Sequence, residues 1–427
     1  MTCLEAEPLT RTASPVAYGP LQENGMVTAG LDFYKPTMSQ FIYEQERDTE
    51  ATLTFKNRGE QRLLDYVDPV ELQARLDGIR DRGFNETELE FLANHTNAQG
   101  ERMFSEDYLD HLRITPLPTV DIRIENDDLA ISATGEWATT SFWETIIMSE
   151  VNELYFENYV TQNGIDLFAL YEEGDRRLTD KIAFLQQNPD IKVAEFGTRR
   201  RFSLRWQKHV TERMQNECPN NLIGTSNVAL ASTLNLKPIG TFAHELPMGY
   251  AGLADARGQS IRESHGRMLD DWYDFYGDEL AIALSDTFGS AFFFEDFSPE
   301  RSEKYRGTRH DSGDPVAYGR AAIAHYQNLG IDPTTKTVLF SDGLNVHKAA
   351  NITEQVGAET NAPFGIGTDL TNDLGLRALN VVMKLTRIKD VRTGASAETV
   401  KLSDNPGKHT GPAHKVAQYK NEFGVTQ

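Results

Sequence analysis

Cysteine is almost missing from this 427-residue chain: Cys3 and Cys218 are too few for a disulfide framework, and no CxxC or cysteine–histidine zinc spacing occurs. That usage fits a reducing compartment. Long apolar runs are missing too, since no stretch approaches the ~18 apolar residues needed to span a bilayer. The opening, MTCLEAEPLTRTASPVAYGP, carries acids and prolines where a secretory signal needs a basic start and an apolar run. The expectation is a cytoplasmic protein with no membrane attachment. Basic residues are in deficit, 42 Lys plus Arg against 64 Asp plus Glu, for a formal net charge of −22. Bulk charge therefore excludes retention on nucleic acid and makes any local cluster of cations informative. Neither GxxxxGK[ST] nor GxGxxG occurs, so nucleotide binding through those two devices is unsupported. HELPM, from His244, begins like the HExxH of a zinc protease, but Met248 replaces the second histidine and Pro247 disfavours the required helix.

What is present reads as an ordinary folded chain, with 39% hydrophobic and 25% charged residues. At ~150 residues per domain the length predicts two to three domains. Residues 1–25 are polar and turn-rich, a flexible leader. ATLTFKNR (51–58) alternates, placing Leu53 and Phe55 on one strand face and Lys56 and Arg58 on the other. DPVELQARLDGIRDRG, with Pro69 early and Gly83 late, predicts a helix, and TVDIRIENDDLAISATGEW predicts a hairpin about Asn-Asp-Asp. Residues 26–140 thus form an α+β portion, which the strand-like LNVVMKLTRI and the rest of 376–427 can rejoin. Across 141–375 short apolar strands end in Gly, Thr, Asp or Ser and alternate with helical patterns: KVAEFGTRRRFS, NLIGTSN, KPIGTFAHE, AIALSDTFGS, RGTRHDSGD, TVLFSDGLN and APFGIGTDL. Such alternation predicts a β/α barrel whose post-strand loops carry the chemistry, with a doubly wound open sheet as the structural alternative.

Those strand ends hold the candidate residues. Arg199, Arg200 and Arg201, with Arg205 beyond, open a helix after a Phe-Gly-Thr turn, where guanidinium forks suit carboxylates and phosphates. A solvated basic face is the plain reading for Arg205 and part of the triplet. The Gly-Thr pairs in GTSN, GTFAH and GIGT are phosphate cradles or simple turns. His244, followed by Glu245, is an oriented imidazole or a structural one. Asp286, Asp311, Asp314 and Asp342 suit Mg²⁺ or ribose hydroxyls, though DSGDP equally makes Asp314 a helix cap. Tyr34, beside Lys35, offers an aromatic plate. From these residues alone, the chain reads as an enzyme for small anionic substrates carrying phosphate and a sugar.

Taken in order, DFYKPTMSQ, FGTRRRFS, GTSNVALA, GTFAHE, RHDSGDP, FSDGLN, FGIGT and KLSDNPGK resemble the nicotinate phosphoribosyltransferase family, in its longer bacterial and fungal form, over residues 30 to 408. The resemblance implies an irregular β/α barrel plus an α/β sandwich domain formed by the N- and C-terminal parts. It implies nicotinate and phosphoribosyl pyrophosphate as substrates, ATP as co-substrate with Mg²⁺, and a reaction that recycles nicotinate to NAD. Residue by residue, it makes His244 the transiently phosphorylated histidine, with Glu245 and Asp311 in the catalytic set. Thr241 and Arg309 match positions that hold nicotinate, Tyr34 stacks on the pyridine ring, Phe196 forms the opposing wall, and Arg199 contacts carboxylate or pyrophosphate. Asp311 and Asp342 resemble ribose and metal-side carboxylates, while Gly343, Gly367 and Thr368 resemble a 5′-phosphate site. The Mg²⁺ ligands stay unassigned, as do roles for Phe242 and His310. The resemblance also implies a possible homodimer, in which the stacking tyrosine crosses from the neighbouring subunit. A transferase for nicotinamide or quinolinate, a phosphate-binding barrel, and a metal-dependent hydrolase are the other readings.

Overall fold

The structure, a computed structural model, describes residues 26–425; the leader, residues 1–25, lies outside them. In chain order the strands are β1 (Thr49–Asn57), β2 (Val120–Glu125), β3 (Asp128–Glu136), β4 (Val193–Glu195), β5 (Leu222–Thr225), β6 (Ile282–Leu284), β7 (Gly307–His310), β8 (Thr337–Phe340), β9 (Phe364–Ile366), β10 (Val381–Asp390) and β11 (Ser396–Glu398). They form two sheets. One is antiparallel in the order β11-β10-β1-β3-β2, so strands from both ends of the chain share it. Alternation fixes its faces: Ala51, Leu53 and Phe55 of β1 are buried while Thr54 and Lys56 are exposed. The β2–β3 hairpin turns through Asn126 and Asp127 at φ of 51° and 61°, the left-handed pair that a two-residue turn needs and that Asn and Asp tolerate.

The other sheet is parallel, β5-β4-β9-β8-β7-β6. The expected barrel closes across the gap between β5 and β6 by an irregular seam. Segment 237–241 runs beside β5, with Ile239 N donating to Thr225 O (2.9 Å) and Thr225 N to Lys237 O (3.2 Å). On its other side a single hydroxyl, Thr241 Oγ1, donates to Ile282 O of β6 (3.3 Å). Six of the seven expected staves are regular strands. The seventh carries Pro238, which has no N–H to give a ladder.

Helix ends follow the expected punctuation. Asp68 caps Pro69–Arg82 through Val70 N, and Gly83 leaves that helix at φ 60°. Asp314 caps Pro315–Asn328 through Ala317 N, so the capping role holds for that residue. Helix Glu245–Ala256 follows the seam and lies against β10 and β11, joining barrel to sandwich. Pro247 sits in its first turn, where no intrahelical N–H is required, so the proline does not prevent this helix; the missing second histidine still excludes the protease motif. Among the described residues, no helix is long and apolar enough to cross a membrane.

That helix meets the sandwich through glycine. A Cβ added at Gly249 would stand 2.2 Å from Trp137 Cη2, and Trp137 is fully buried. Gly249→Ala is expected to destabilise the protein by about 2 kcal/mol through overpacking, read as a lower urea midpoint at unchanged slope.

Candidate active site

A cavity of about 290 Å³ opens where the barrel strands end, and β10 with the segment after β11 supplies its remaining wall. Arg58, Arg199, Arg200, Arg309, Lys384, Lys401 and Lys408 all line it, outnumbering the carboxylates Asp32, Glu144, Asp311, Asp342 and Asp369. A strongly acidic protein thus concentrates its cations in one concave place, as an anion-binding site demands. Burial, with Arg199 and Arg58 close by, lowers the Arg200 guanidinium to about 10. Burial also pulls the Lys384 ammonium down to about 8, against Glu144. Both cations are short of counter-charge, and an anionic ligand relieves that deficit.

His244 occupies the residue before helix Glu245–Ala256 and is buried. Its Nδ1 lies 2.9 Å from Thr287 Oγ1. Its Nε2 lies 2.9 Å from Asp311 Oδ2 and 2.8 Å from Lys401 Nζ. Burial and the Lys401 charge push the imidazole down to about 4, against the pull of Asp286 and Asp311. Burial and the lysine thus favour the neutral ring, whose partners fix its orientation and which can then act as a nucleophile. Asp311 is steadied by Ser341 Oγ, which donates to its Oδ1 (3.1 Å).

The expected residues separate into those at the cavity and those behind it. Tyr34, Phe196, Arg199, His244, Arg309, Asp311, Asp342, Gly343, Gly367 and Thr368 all line it. Tyr34 lines the cavity of its own chain, its ring 5.9 Å from the Arg199 guanidinium and its buried hydroxyl without a partner. Arg309 is 8% exposed, with its Nε unpaired. Asp342 accepts from Lys408 Nζ at 2.7 Å. Phe196 lies so close over β9 that a Cβ at Gly365 would meet its ring at 2.5 Å, so glycine is required there.

Two residues stand elsewhere. Glu245 is turned away from the cavity: its Oε1 accepts from Trp137 Nε1 (2.8 Å) and its Oε2 from Lys35 Nζ (2.6 Å). One residue along a helix rotates a side chain by ~100°, so adjacency to His244 separates the two groups. Thr241 is engaged in the barrel seam rather than the cavity lining. Of the arginine triplet, Arg201 is fully buried and structural, bonded to Glu153 (2.6 Å) and Ala29 O (2.6 Å). The helix they were expected to open starts later, at Leu204 with Ser203 as its cap. Phe242 packs edge-on against Trp272, and His310 faces Tyr318 and Phe340 in the core.

Arg200, one of the triplet expected to bind anions, lines the cavity; Asp32, Glu144, Lys384, Lys401 and Lys408, which also line it, are not among the residues expected there. Only the KLSDNPGK motif pointed to the last two. His244, Asp286 and Asp311 bring ligand atoms within 4.8 Å of one another. The Lys401 ammonium stands 2.8 Å from His244 Nε2 and 3.4 Å from Asp286 Oδ2, a fixed cation within that cluster. Mg²⁺ also prefers an all-oxygen shell, so this cluster does not fit it.

An open-ended β/α barrel with a neutral histidine, two aromatic plates and a cationic cavity at its strand ends defines an enzyme of small phosphorylated substrates. Residues 191–427 match the model of the "Nicotinate phosphoribosyltransferase (NAPRTase) family", and residues 30–152 match its N-terminal domain. A nicotinate phosphoribosyltransferase of Chromobacterium violaceum is 37% identical over 88% of this chain and 91% of its own. One of Neisseria gonorrhoeae is 36% identical over 93% and 96%. Crystal structures of the enzymes from Porphyromonas gingivalis (TM-score 0.84, 28% identity, 94% of this chain and 100% of that one) and Vibrio cholerae (0.81, 31%, 94% of each) share the fold. The chain belongs to the nicotinate phosphoribosyltransferase family.

Beneath the cavity, Lys35 is fully buried between Glu245 and Glu144, whose Oε2 lies 2.8 Å from its Nζ. Lys35→Met should cost about 3–5 kcal/mol, because two carboxylates lose their shared cation. Chemical denaturation measures the loss, and a change under 1 kcal/mol would contradict the role given to Lys35.

Proposed function

We propose that this protein is a nicotinate phosphoribosyltransferase, forming nicotinate mononucleotide and pyrophosphate from nicotinate and phosphoribosyl pyrophosphate, with ATP hydrolysis coupled through phosphorylation of His244. The observation that carries the reading is one cavity in which a neutral, oriented His244 shares walls with Tyr34, Phe196 and a surplus of cations. The nicotinate ring nitrogen bonds to the sugar's anomeric carbon as the carbon–oxygen bond to pyrophosphate breaks, its electrons leaving with that oxygen. Charge develops on the leaving group, and fixed cations lower the barrier without reorganising. Arg199, Arg200 and Lys408 are the candidates for that work. Arg309, almost dry and with an unpaired Nε, suits the planar nicotinate carboxylate, which its fork orients better than a point charge does. Tyr34 and Phe196 hold the pyridine ring, Asp311 and Asp342 face the ribose, and Gly343, Gly367 and Thr368 receive the 5′-phosphate.

In the coupled half-reaction the Nε2 lone pair bonds to the terminal phosphorus of ATP while the phosphorus–oxygen bond to ADP breaks, the electrons remaining on ADP. Mg²⁺ belongs in this reading with the phosphate oxygens of the substrates, and no step assigned to the protein uses it. A homodimer is part of the same reading, each copy supplying Tyr34 to its own cavity.

The test is formation of nicotinate mononucleotide and pyrophosphate with and without ATP. His244→Ala should abolish ATP stimulation and leave a weak ATP-independent transfer; full stimulation in that variant would remove His244 from the mechanism. Arg309→Lys should raise the KM for nicotinate about 10- to 100-fold while leaving that for the sugar donor near its original value. Equal rises in both would refute the assignment of Arg309.

A further inference from the structure

Nε2 of His244 is approached by groups of opposite charge. The Lys401 ammonium stands 2.8 Å away, Asp311 Oδ2 2.9 Å, and Asp286 Oδ1 3.6 Å. A ring nitrogen offers a lone pair or a proton in a single direction, so it accepts from the lysine or donates to an aspartate, but not both. Which of these prevails decides the chemistry. Two carboxylates at such distances, acting alone, stabilise the imidazolium, and an imidazolium has no lone pair with which to attack phosphorus.

Lys401 is the opposing charge. It reaches the ring from the segment after β11, lies 3.4 Å from Asp286 Oδ2, and its side chain is only 7% exposed, so water screens it little. Asp286 follows β6 and Asp311 follows β7, so the barrel contributes both anions and the C-terminal segment the cation. On the other side of the ring, Nδ1 lies 2.9 Å from the Thr287 hydroxyl, its one hydrogen-bond partner among the described residues. On the ring's own helix the adjacent carboxylate, Glu245, is committed to Lys35.

We propose that Lys401 is a positioning residue that keeps His244 neutral, with Nε2 bare and Nδ1–H directed to Thr287, and so keeps the phosphoryl-accepting nitrogen usable at physiological pH. The inference rests on the reading of His244 as the phosphoryl acceptor. The depressed pKa of the ring agrees with it, Lys401 being the main cause after burial itself. During transfer the ring keeps its Nδ1 proton, and Lys401 neither gives up nor takes an atom. Its ammonium is freed from the lone pair that becomes the nitrogen–phosphorus bond.

The experiment is a pH titration of ¹⁵N-histidine-labelled full-length protein, with the His244 signals assigned by their loss in His244→Ala. It runs beside acid-labile labelling from terminally ³²P-labelled ATP. In the wild type the ring should be the neutral Nδ1–H form throughout the range above about pH 5. In Lys401→Met it should titrate near or above neutrality. Labelling near pH 6.5 should then fall about tenfold for each unit by which the ring's pKa exceeds 6.5 and recover toward pH 8.5, while Lys401→Arg should follow the wild type. A Lys401→Met ring titrating like the wild type would overturn the proposal. So would a wild-type ring found charged, or protonated at Nε2, at pH 7, a result that needs no variant to fold. Normal ring behaviour without any label would refute phosphorylation of His244 yet leave the control by Lys401 standing.

Discussion

The arrangement around the cavity depends on one buried cation. Lys35, from the helix that Tyr34 begins, neutralises Glu144 from helix Trp143–Gln162 and Glu245 from the helix that His244 precedes. Three elements far apart in the chain are thereby held at one point, directly under the residues that face the ligand. Burying three charges is costly, and the arrangement persists because each finds a partner at hydrogen-bond distance and Trp137 adds a further donor. Tyr34 and His244 inherit their positions from this tie, being sequence neighbours of Lys35 and Glu245. Glu144 passes the same charge balance outward: although burial alone raises a carboxyl, Lys35 and then Lys384 hold it well below the usual carboxylate range.

Around that tie the molecule separates two electrostatic tasks. Its outer surface carries the acidic excess, which favours solubility. Its cavity carries arginines and lysines drawn from four sources: the end of β1, the barrel strand ends, β10, and the segment after β11. No short stretch of sequence holds more than two of the cavity's cations, which is why composition conceals the site and the fold reveals it.

Much of the barrel was legible because its strands are short, apolar and uniformly ended by Gly, Thr, Ser or Asp. The stave at 237–241 was misread as a strand, since Pro238 withholds a donor that the apolar pattern does not register. The ten expected residues that line the cavity sit in or just after the barrel strands, at the far end of the seam in the case of His244, or at the start of the Tyr34 helix. Glu245 and Thr241 were misplaced for a common reason: proximity along the chain says nothing of direction once a helix begins or a hydroxyl closes a seam. Lys384 was invisible because its facing is set by the β10–β1 register, a pairing across most of the chain. In the sequence Lys35 is only the cation beside Tyr34, and only the tertiary structure brings its two carboxylates to it.

The pairing of β10 with β1 also bears on how the protein comes into being. Thr386 meets Thr52 across 334 residues, and Lys384, Lys401 and Lys408 all follow the barrel strands in the sequence. The barrel staves and their histidine thus precede in sequence the wall that carries those lysines. Until that wall arrives, the imidazole faces two carboxylates without its opposing ammonium. The charge that balances the histidine is thus supplied from the far end of the sequence, and only a completed sheet delivers it.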